Sequence, residues 1–412
     1  MIREDLASGI SRLAASISPS PTLKTIELAR QLRASGEAVI NLAAGEPDHR
    51  APRGAIDAGV AVLETGLLKY GPTAGVPSLR SAVVDYTASH YGRQVHEQNV
   101  LIAAGAKQAL WNLLFTVTDP GDETIVLAPY WVSYPEMIRM VGGVPVIVQA
   151  SDGGLQPSLS DIMARITPRT RTILLNSPNN PSGLAYDAEA LAGLVELAEQ
   201  RRIWLVCDDI YHGLLFDGRR PLSAWRYTEH DVDESHIVVV NGVSKLYGMT
   251  GVRIGWVAGP QLLIAAMTNV QAQTLSCLSS VNQMAADGAL RGSQSGVEAF
   301  RSELEANRNV MLRELASIDG VTCAAPQGTF YCFPDFRAYQ RDSVALANFL
   351  VEKARVVTVA GCEFGVEGHL RLSYVGSATD IVEGVRRIRW ALDTASPSEI
   401  AIGDRTATRD WT

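Results

Sequence analysis

The chain has 412 residues, 47% hydrophobic and 19% charged, which is enough for two globular domains with a shared core. Its formal net charge of -8 argues against a nucleic-acid surface, which needs clustered Lys and Arg. Five cysteines without a CxxC pair suggest neither a metal site nor a disulfide framework. Because no signal peptide or membrane-length apolar run is visible, we expect a cytoplasmic protein without membrane contact.

The first half of the chain alternates buried strands with helical patterns. Residues 124–128, 172–175, 203–207 and 237–240 are continuous apolar runs, and Ala188–Arg201 has a helical pattern. Runs without polar alternation are typical of strands covered by helices on both faces. We therefore predict a large α/β domain over residues 51–296, with a mainly parallel sheet sandwiched by helices.

A second, smaller domain is predicted after residue 296. A long charged helix over residues 297–317 is followed by a mixture of strands and helices, so residues 297–394 indicate a small α+β domain. Residues 1–50 are expected to form an N-terminal arm and part of this small domain. Residues 395–412 are polar and show no periodicity, which predicts a flexible tail.

The strongest chemical motif is the glycine-punctuated segment 241–255, which directly follows the strand 237–240. It places Ser244, Lys245 and Arg253 at the carboxyl edge of the sheet, where α/β proteins bind ligands. A desolvated lysine at this edge can form a Schiff base with an aldehyde, and the arginine can bind a phosphate. A single lysine after a strand would more commonly be a solvated surface residue.

Other polar positions adjoin the same edge of the predicted sheet. Asp208 ends the strand 203–207, with Asp209 next to it, and the turn 176–183 follows the strand 172–175. Gly105 opens a helix, whose N-terminal N–H groups and dipole suit a phosphate.

Together these motifs resemble the fold-type-I pyridoxal-phosphate (PLP) enzymes, and within them the bacterial aspartate aminotransferase branch of class I. The resemblance spans residues 19–391 and rests on eight motifs in family order, namely 41–48, 70–75, 105–110, 129–136, 176–183, 208–211, 244–255 and 369–374.

The resemblance implies a PLP cofactor and assigns a role to each motif. The implied catalytic residues are Lys245, which carries the cofactor and transfers protons, Asp208 on the pyridine nitrogen, and Tyr211 on the 3′-oxygen. The other implied cofactor contacts are Gly105, Ala106, Lys107, Trp131, Asn180, Ser244, Arg253 and Tyr70. The implied substrate contacts are Arg371 and Gly45 for the α-carboxylate, Lys107 for a distal carboxylate, Trp131 and Asn180.

Tyr70 matches a residue that the neighbouring subunit contributes, so the resemblance also implies a homodimer with shared active sites. The implied substrates are an L-amino acid, aspartate or glutamate first, and a 2-oxo acid. The chain departs from the family pattern at Leu68, at residues 49–51 and at Ala360; the first two departures keep other substrates open, and Ser18 disfavours prephenate. The alternatives are an aromatic, alanine or specialised aminotransferase, a PLP lyase or cyclase, and a non-enzymatic regulator.

Overall fold

The computed structural model describes residues 9–17 and 21–411. Within them the α-helices are, in chain order, α1 (Arg12–Ser16), α2 (Pro21–Ala34), α3 (Arg53–Glu64), α4 (Pro77–Tyr91), α5 (Gly105–Val117), α6 (Tyr134–Met140), α7 (Leu159–Met163), α8 (Ala188–Arg201), α9 (Gln261–Thr274), α10 (Ser280–Arg291), α11 (Ser295–Leu315), α12 (Ser343–Phe349) and α13 (Ala378–Leu392). Shorter 3₁₀ turns are Glu97–Asn99, Ala224–Arg226, Thr250–Val252 and Gly361–Phe364, and a π-helical turn, Leu350–Ala354, continues α12.

The strands are β1 (Ile40–Asn41), β2 (Val100–Ala103), β3 (Glu123–Leu127), β4 (Val144–Val148), β5 (Thr170–Asn176), β6 (Trp204–Asp208), β7 (Ile237–Gly242), β8 (Gly255–Ala258), β9 (Tyr331–Cys332), β10 (Val356–Val357), β11 (Val359–Ala360), β12 (Leu370–Ser373), β13 (Glu399–Ile402) and β14 (Arg405–Thr408). Seven of them form the central sheet in the order β2-β8-β7-β6-β5-β3-β4. Every neighbouring pair is parallel except the two that involve β8. The predicted α/β fold with a mainly parallel sheet is therefore confirmed.

Helices cover both faces of this sheet. Consecutive strand residues point to opposite faces and enter two different hydrophobic clusters. Leu205 belongs to the same cluster as Leu194 of α8, whereas Val206 belongs to the same cluster as Leu110 of α5. This two-sided burial explains why the strands are continuous apolar runs in the sequence.

The smaller region is built from short strands and the helices α11, α12 and α13, which have 21, 7 and 15 residues. The strands β11, β12 and β9 form an antiparallel sheet in that order, while β1 pairs in parallel with β10. The pairing of Ile40 with Val356 joins the N-terminal segment to the C-terminal strands. The helices α12 and α13 pack beside these strands, and α11 packs against α13.

The C-terminal segment differs from the flexible tail that the sequence predicts. The strands β13 and β14 form an antiparallel hairpin, and Trp411 packs edge-on against Trp390 with ring centroids 5.2 Å apart. The Arg409 guanidinium donates to backbone carbonyl oxygens of Thr394 and Ser396, both at 2.8 Å. Ile400 and Ile402 are buried in the core and alternate with the exposed Glu399 and Ala401, so the sequence prediction missed a short strand pattern in this segment.

Three further features concern membranes, metals and disulfides. Among residues 9–17 and 21–411, no helix is long and apolar enough to cross a bilayer. The same residues contain no group of three or more His, Cys, Asp or Glu side chains arranged to hold a metal ion. All five cysteines are free thiols.

Candidate active site

The site is assembled where the parallel strands end. Asn176 of β5 lies opposite Asp208 of β6, which in turn lies opposite Val240 of β7. Lys245 follows β7, and Arg253 precedes the antiparallel β8, whose first residue pairs with the last residue of β7. One edge of the sheet thus gathers polar side chains from segments that are far apart in sequence.

A cavity of about 440 Å³ opens at this edge. Its walls include eleven of the residues that the sequence singles out, namely Gly45, Ala106, Lys107, Trp131, Asn180, Asp208, Tyr211, Ser244, Lys245, Arg253 and Arg371. The lining carries four cationic side chains and two anionic ones, Glu46 and Asp208. The cavity therefore favours ligands with more negative than positive charge.

Lys245 reaches the cavity from the loop after β7. Its Nζ donates a 2.6 Å hydrogen bond to the backbone oxygen of Gly45. Desolvation by the surrounding protein, reinforced by the positive charge of Arg371, lowers the pKa of Lys245 to about 8. A much larger fraction of this amine is therefore neutral near pH 7 than for an ordinary lysine, and the neutral form is the nucleophile and base.

Asp208 is buried at the end of β6. Its Oδ2 accepts a 2.5 Å hydrogen bond from the Tyr134 hydroxyl, and Oδ1 accepts a 3.4 Å bond from the Ile210 amide. Burial raises the pKa of Asp208 to about 6, whereas the Tyr134 bond acts in the opposite direction. The carboxylate is therefore suited to pairing with a positively charged group, which would stabilise its ionised form.

Arg371, on β12, lines the cavity and is only 2% exposed. Its Nη1 donates to Asn180 Oδ1 and its Nη2 to the Ala43 backbone oxygen, each at 3.1 Å. Its Nε has no hydrogen-bond partner among the described residues. The guanidinium lies 4.3 Å from the Tyr331 ring centroid. A buried, incompletely paired guanidinium is a suitable receptor for a carboxylate.

The amino end of α5 and the Arg253 side chain form an anion-binding corner. Gly105 adopts a positive φ of 82°, and a Cβ placed on it would lie 2.6 Å from Arg253 Nη2. The absence of a side chain at Gly105 thus lets the guanidinium rest against the first turn of the helix. The helix N-terminus, the nearby Ser244 and Arg253 provide the donors and the positive charge that a phosphate requires.

Lys107 and Trp131 lie side by side at the rim of the cavity. The Lys107 Nζ is 4.7 Å from the Trp131 ring centroid, a cation–π distance. Trp131 also packs edge-on against Tyr134, with ring centroids 5.4 Å apart. The ammonium group is therefore held beside the cavity while remaining accessible to a ligand.

Two residues singled out by the sequence do not line the cavity. Gly105 lies just behind Arg253, as described above, and Tyr70 is 92% exposed, away from the cavity of its own chain. Conversely, sequence reasoning did not single out Tyr134, Tyr331 or Asn176, although the first and last lie within quoted motifs. Tyr331 had no such signal, because its role depends on the pairing of β9 with β12.

Fold and cavity together describe an α/β protein whose cavity holds a lysine of lowered pKa, a buried carboxylate and two arginines. The sequence profile of the family "Aminotransferase class I and II" matches residues 37–388. The chain belongs to this family and is an aminotransferase.

Individual relatives agree with this assignment over nearly the whole chain. A probable aspartate/prephenate aminotransferase of Aquifex aeolicus is 38% identical, covering 95% of this chain and 100% of the relative. An aspartate aminotransferase of Geobacillus stearothermophilus is 37% identical, covering 92% and 98%. The structure of the Thermus thermophilus aspartate aminotransferase with maleate superposes with a TM-score of 0.88 at 37% identity, covering 93% of this chain and 99% of that one.

Proposed function

We propose that the protein is a PLP-dependent aminotransferase that moves the amino group of an L-amino acid, aspartate or glutamate first, to a 2-oxo acid in two successive half-reactions. The names of the relatives support the aspartate assignment. The main observation behind the aspartate assignment is the cation Lys107, which lines the same cavity as Arg253 and Arg371, the residues proposed to bind a phosphate and an α-carboxylate.

The residues of the cavity fit PLP. The anion-binding corner of Gly105, Ser244 and Arg253 suits its phosphate, and the Asp208 carboxylate suits a protonated ring nitrogen. Trp131 offers an aromatic surface for the ring, and Tyr211 and Asn180 offer polar groups for its 3′-oxygen. When bound, PLP supplies an aldehyde for Lys245 and a ring that accepts electrons from the substrate.

The side chains of this protein then bind the substrate and move its proton. Arg371 binds the α-carboxylate and so fixes the substrate Cα in the cavity, with the backbone of Gly45 close by. The Lys245 amine, which its lowered pKa makes neutral more often than an ordinary lysine, accepts the proton from Cα. Asp208 keeps a positive charge at the ring nitrogen favourable throughout.

The distribution of cations predicts the substrate class. Arg253 and Arg371 are used by the phosphate and the α-carboxylate, which leaves Lys107 without a partner in the proposed complex. A second carboxylate on the substrate side chain would supply that partner. Aspartate and glutamate carry such a group, whereas alanine and phenylalanine do not.

A half-reaction screen tests the proposal. Each amino acid is added to the PLP form of the protein, and the visible spectrum follows conversion of the cofactor. The variant Lys107→Met should lower kcat/KM for aspartate about ten- to hundred-fold, since a hydrogen bond to a charged group contributes about 1.5–3 kcal/mol. It should leave the reaction with alanine unchanged.

A matched control is Lys353→Met. Lys353 also lies over a tryptophan, with Nζ 5.2 Å from the Trp411 ring centroid, but far from the cavity. It should change neither reaction. Equal loss for aspartate and alanine in Lys107→Met, or a wild-type preference for phenylalanine or alanine, would contradict the dicarboxylate assignment. Release of ammonia or sulfide, rather than an oxo acid plus pyridoxamine phosphate, would favour a lyase.

Homodimer formation is part of the same proposal. Tyr70, Leu67 and Leu68 are 92%, 70% and 56% exposed, an apolar surface of the kind that protein contacts cover. In the proposed dimer, Tyr70 of one copy would reach the anion-binding corner of the other copy. Sedimentation of the PLP-loaded protein as a monomer would contradict this.

We also propose a reducing, cytoplasmic compartment, consistent with five free thiols. Ser18, which bears on prephenate, lies outside the described residues.

A further inference from the structure

Tyr134 is a buried residue whose hydroxyl contacts Asp208 directly. It is the first residue of α6, is 2% exposed, and donates the 2.5 Å bond to Asp208 Oδ2. A bond of this length between a hydroxyl and a carboxylate is a strong, charge-assisted one. The other oxygen, Oδ1, receives, from residues 9–17 and 21–411, only the 3.4 Å contact from the Ile210 amide. The carboxylate is therefore held by one oxygen, while the other is the better placed to accept a further bond.

The same tyrosine also supports Trp131. Its backbone amide donates to the Trp131 backbone oxygen at 3.0 Å, and the two rings meet at 89°. Tyr134 itself does not line the cavity. Any influence on a bound ligand must therefore pass through the two residues that do, Asp208 and Trp131.

We propose that Tyr134 is a positioning residue that acts through Asp208: its hydroxyl keeps the carboxylate ionised and oriented, so that the ring nitrogen of the bound cofactor stays protonated. This inference rests on the proposed function, because it requires PLP in the cavity. The physical reason is that a donor on a buried carboxylate stabilises the ionised form and offsets the cost of burial.

The surroundings of Asp208 contain few other groups that could perform this task. The titratable groups that act on it are Tyr134 from α6, its chain neighbours Cys207, Asp209 and Tyr211, and Lys245 from the loop after β7. Asp209 and the buried thiol of Cys207 oppose a negative charge on Asp208 when ionised. Lys245 favours that charge only as an ammonium group, whereas the neutral form of its amine is the one that would act as nucleophile and base. Tyr134 then remains the principal group that stabilises the carboxylate.

The experiment uses the PLP-loaded protein with ¹⁵N in the cofactor ring, whose NMR shift reports protonation of that nitrogen. In the wild type the nitrogen should stay protonated across the pH range of activity. In Tyr134→Phe its apparent pKa should fall, so that the nitrogen loses its proton within that range. The aspartate half-reaction should slow about ten- to hundred-fold, as expected for a lost bond to a charged group.

Two companion variants separate this role from packing. Tyr374→Phe removes another buried hydroxyl, which donates to the Gly328 backbone oxygen at 3.3 Å outside the cavity, and should change neither readout. 3-Fluorotyrosine at position 134 retains the hydroxyl and should restore the protonated nitrogen, even if Tyr134→Phe folds poorly.

The inference is overturned if Tyr134→Phe keeps a protonated nitrogen and a half-reaction rate within about three-fold of the wild type. It is also overturned if the fluorotyrosine protein behaves like the phenylalanine variant, because the hydroxyl would then not be the cause. Failure of the wild type to bind PLP is a separate result, which refutes the proposed function instead.

Discussion

The contact between Gly105 and Arg253 gives a prediction whose size follows from the structure. In Gly105→Ala, the new Cβ would lie 2.6 Å from Arg253 Nη2 and 3.0 Å from Cζ, which is too close. Because a guanidinium is the end of a flexible side chain, we expect it to move rather than the helix. The backbone adds a cost of about 1–2 kcal/mol, since φ at this position is +82°.

A control variant with the same backbone cost exists in the chain. Gly153 has a φ of +79°, and a Cβ there would meet nothing within 4 Å. Gly153→Ala should therefore lower the free energy of unfolding about as much as Gly105→Ala does, without touching Arg253. The difference between the two variants isolates the displaced guanidinium.

The expected effect is on the affinity for PLP. Loss of one hydrogen bond between Arg253 and the phosphate removes about 1.5–3 kcal/mol, which corresponds to an increase in Kd of about ten- to hundred-fold. The assay titrates PLP into cofactor-free protein and follows its absorbance. A parallel titration with pyridoxal, which has no phosphate, should give similar affinities for the wild type and both variants.

The reasoning would be refuted by an affinity of Gly105→Ala for PLP that stays within about three-fold of the Gly153→Ala value. It would be refuted equally if pyridoxal lost as much affinity as PLP. In that case the substitution would have changed the general shape of the cavity rather than the anion-binding corner.

Two further predictions concern Arg371 and Asp209. Arg371→Lys removes the planar guanidinium, which can bind a carboxylate at two points. The KM should therefore rise about ten- to hundred-fold for aspartate and alanine alike. A rise in KM confined to aspartate would contradict the assignment of Arg371 to the α-carboxylate. Burial, reinforced by Asp208, raises the pKa of Asp209 to about 8. Below pH 8 the native protein therefore keeps a proton on Asp209 that the unfolded chain has already released. The free energy of unfolding should fall as pH rises towards 8, by at most about 1.4 kcal/mol per pH unit. The pKa of His212, lowered by burial to about 3, has the opposite effect, but only below its ordinary 6.5. Urea midpoints of cofactor-free Asp209→Asn at about pH 6.5 and 9 should therefore differ less than those of the wild type; an unchanged difference would show that Asp209 is already ionised.

The choice between Asp208 and Asp209 shows what the strand pattern leaves undecided. Both residues follow the same apolar run, and only the family resemblance selects Asp208. In the structure Asp208 faces the cavity and Tyr134, whereas Asp209 is buried on the other side, where it influences the pKa of Tyr91. Neighbouring residues at a strand end point to opposite faces, and the sheet alone decides which face holds the cavity.

The apolar runs of β3, β5, β6 and β7 were enough to predict the central sheet from the sequence, because strands covered by helices on both faces are apolar throughout. The glycine-punctuated loop likewise placed Lys245 at the edge where ligands bind. These are local properties, which each segment carries in its own residues.

Only the tertiary structure decided which distant groups meet. Tyr134 reaches Asp208 across 74 positions of the chain, and Arg371 meets Asn180 across 191. The short alternation of Ile400 and Ile402 in β13 is too weak to predict the hairpin alone, which also depends on Trp411 and Arg409 packing on α13 and its end. Local periodicity reports what a segment buries, whereas these contacts depend on how separately formed elements pack, and no single segment encodes that.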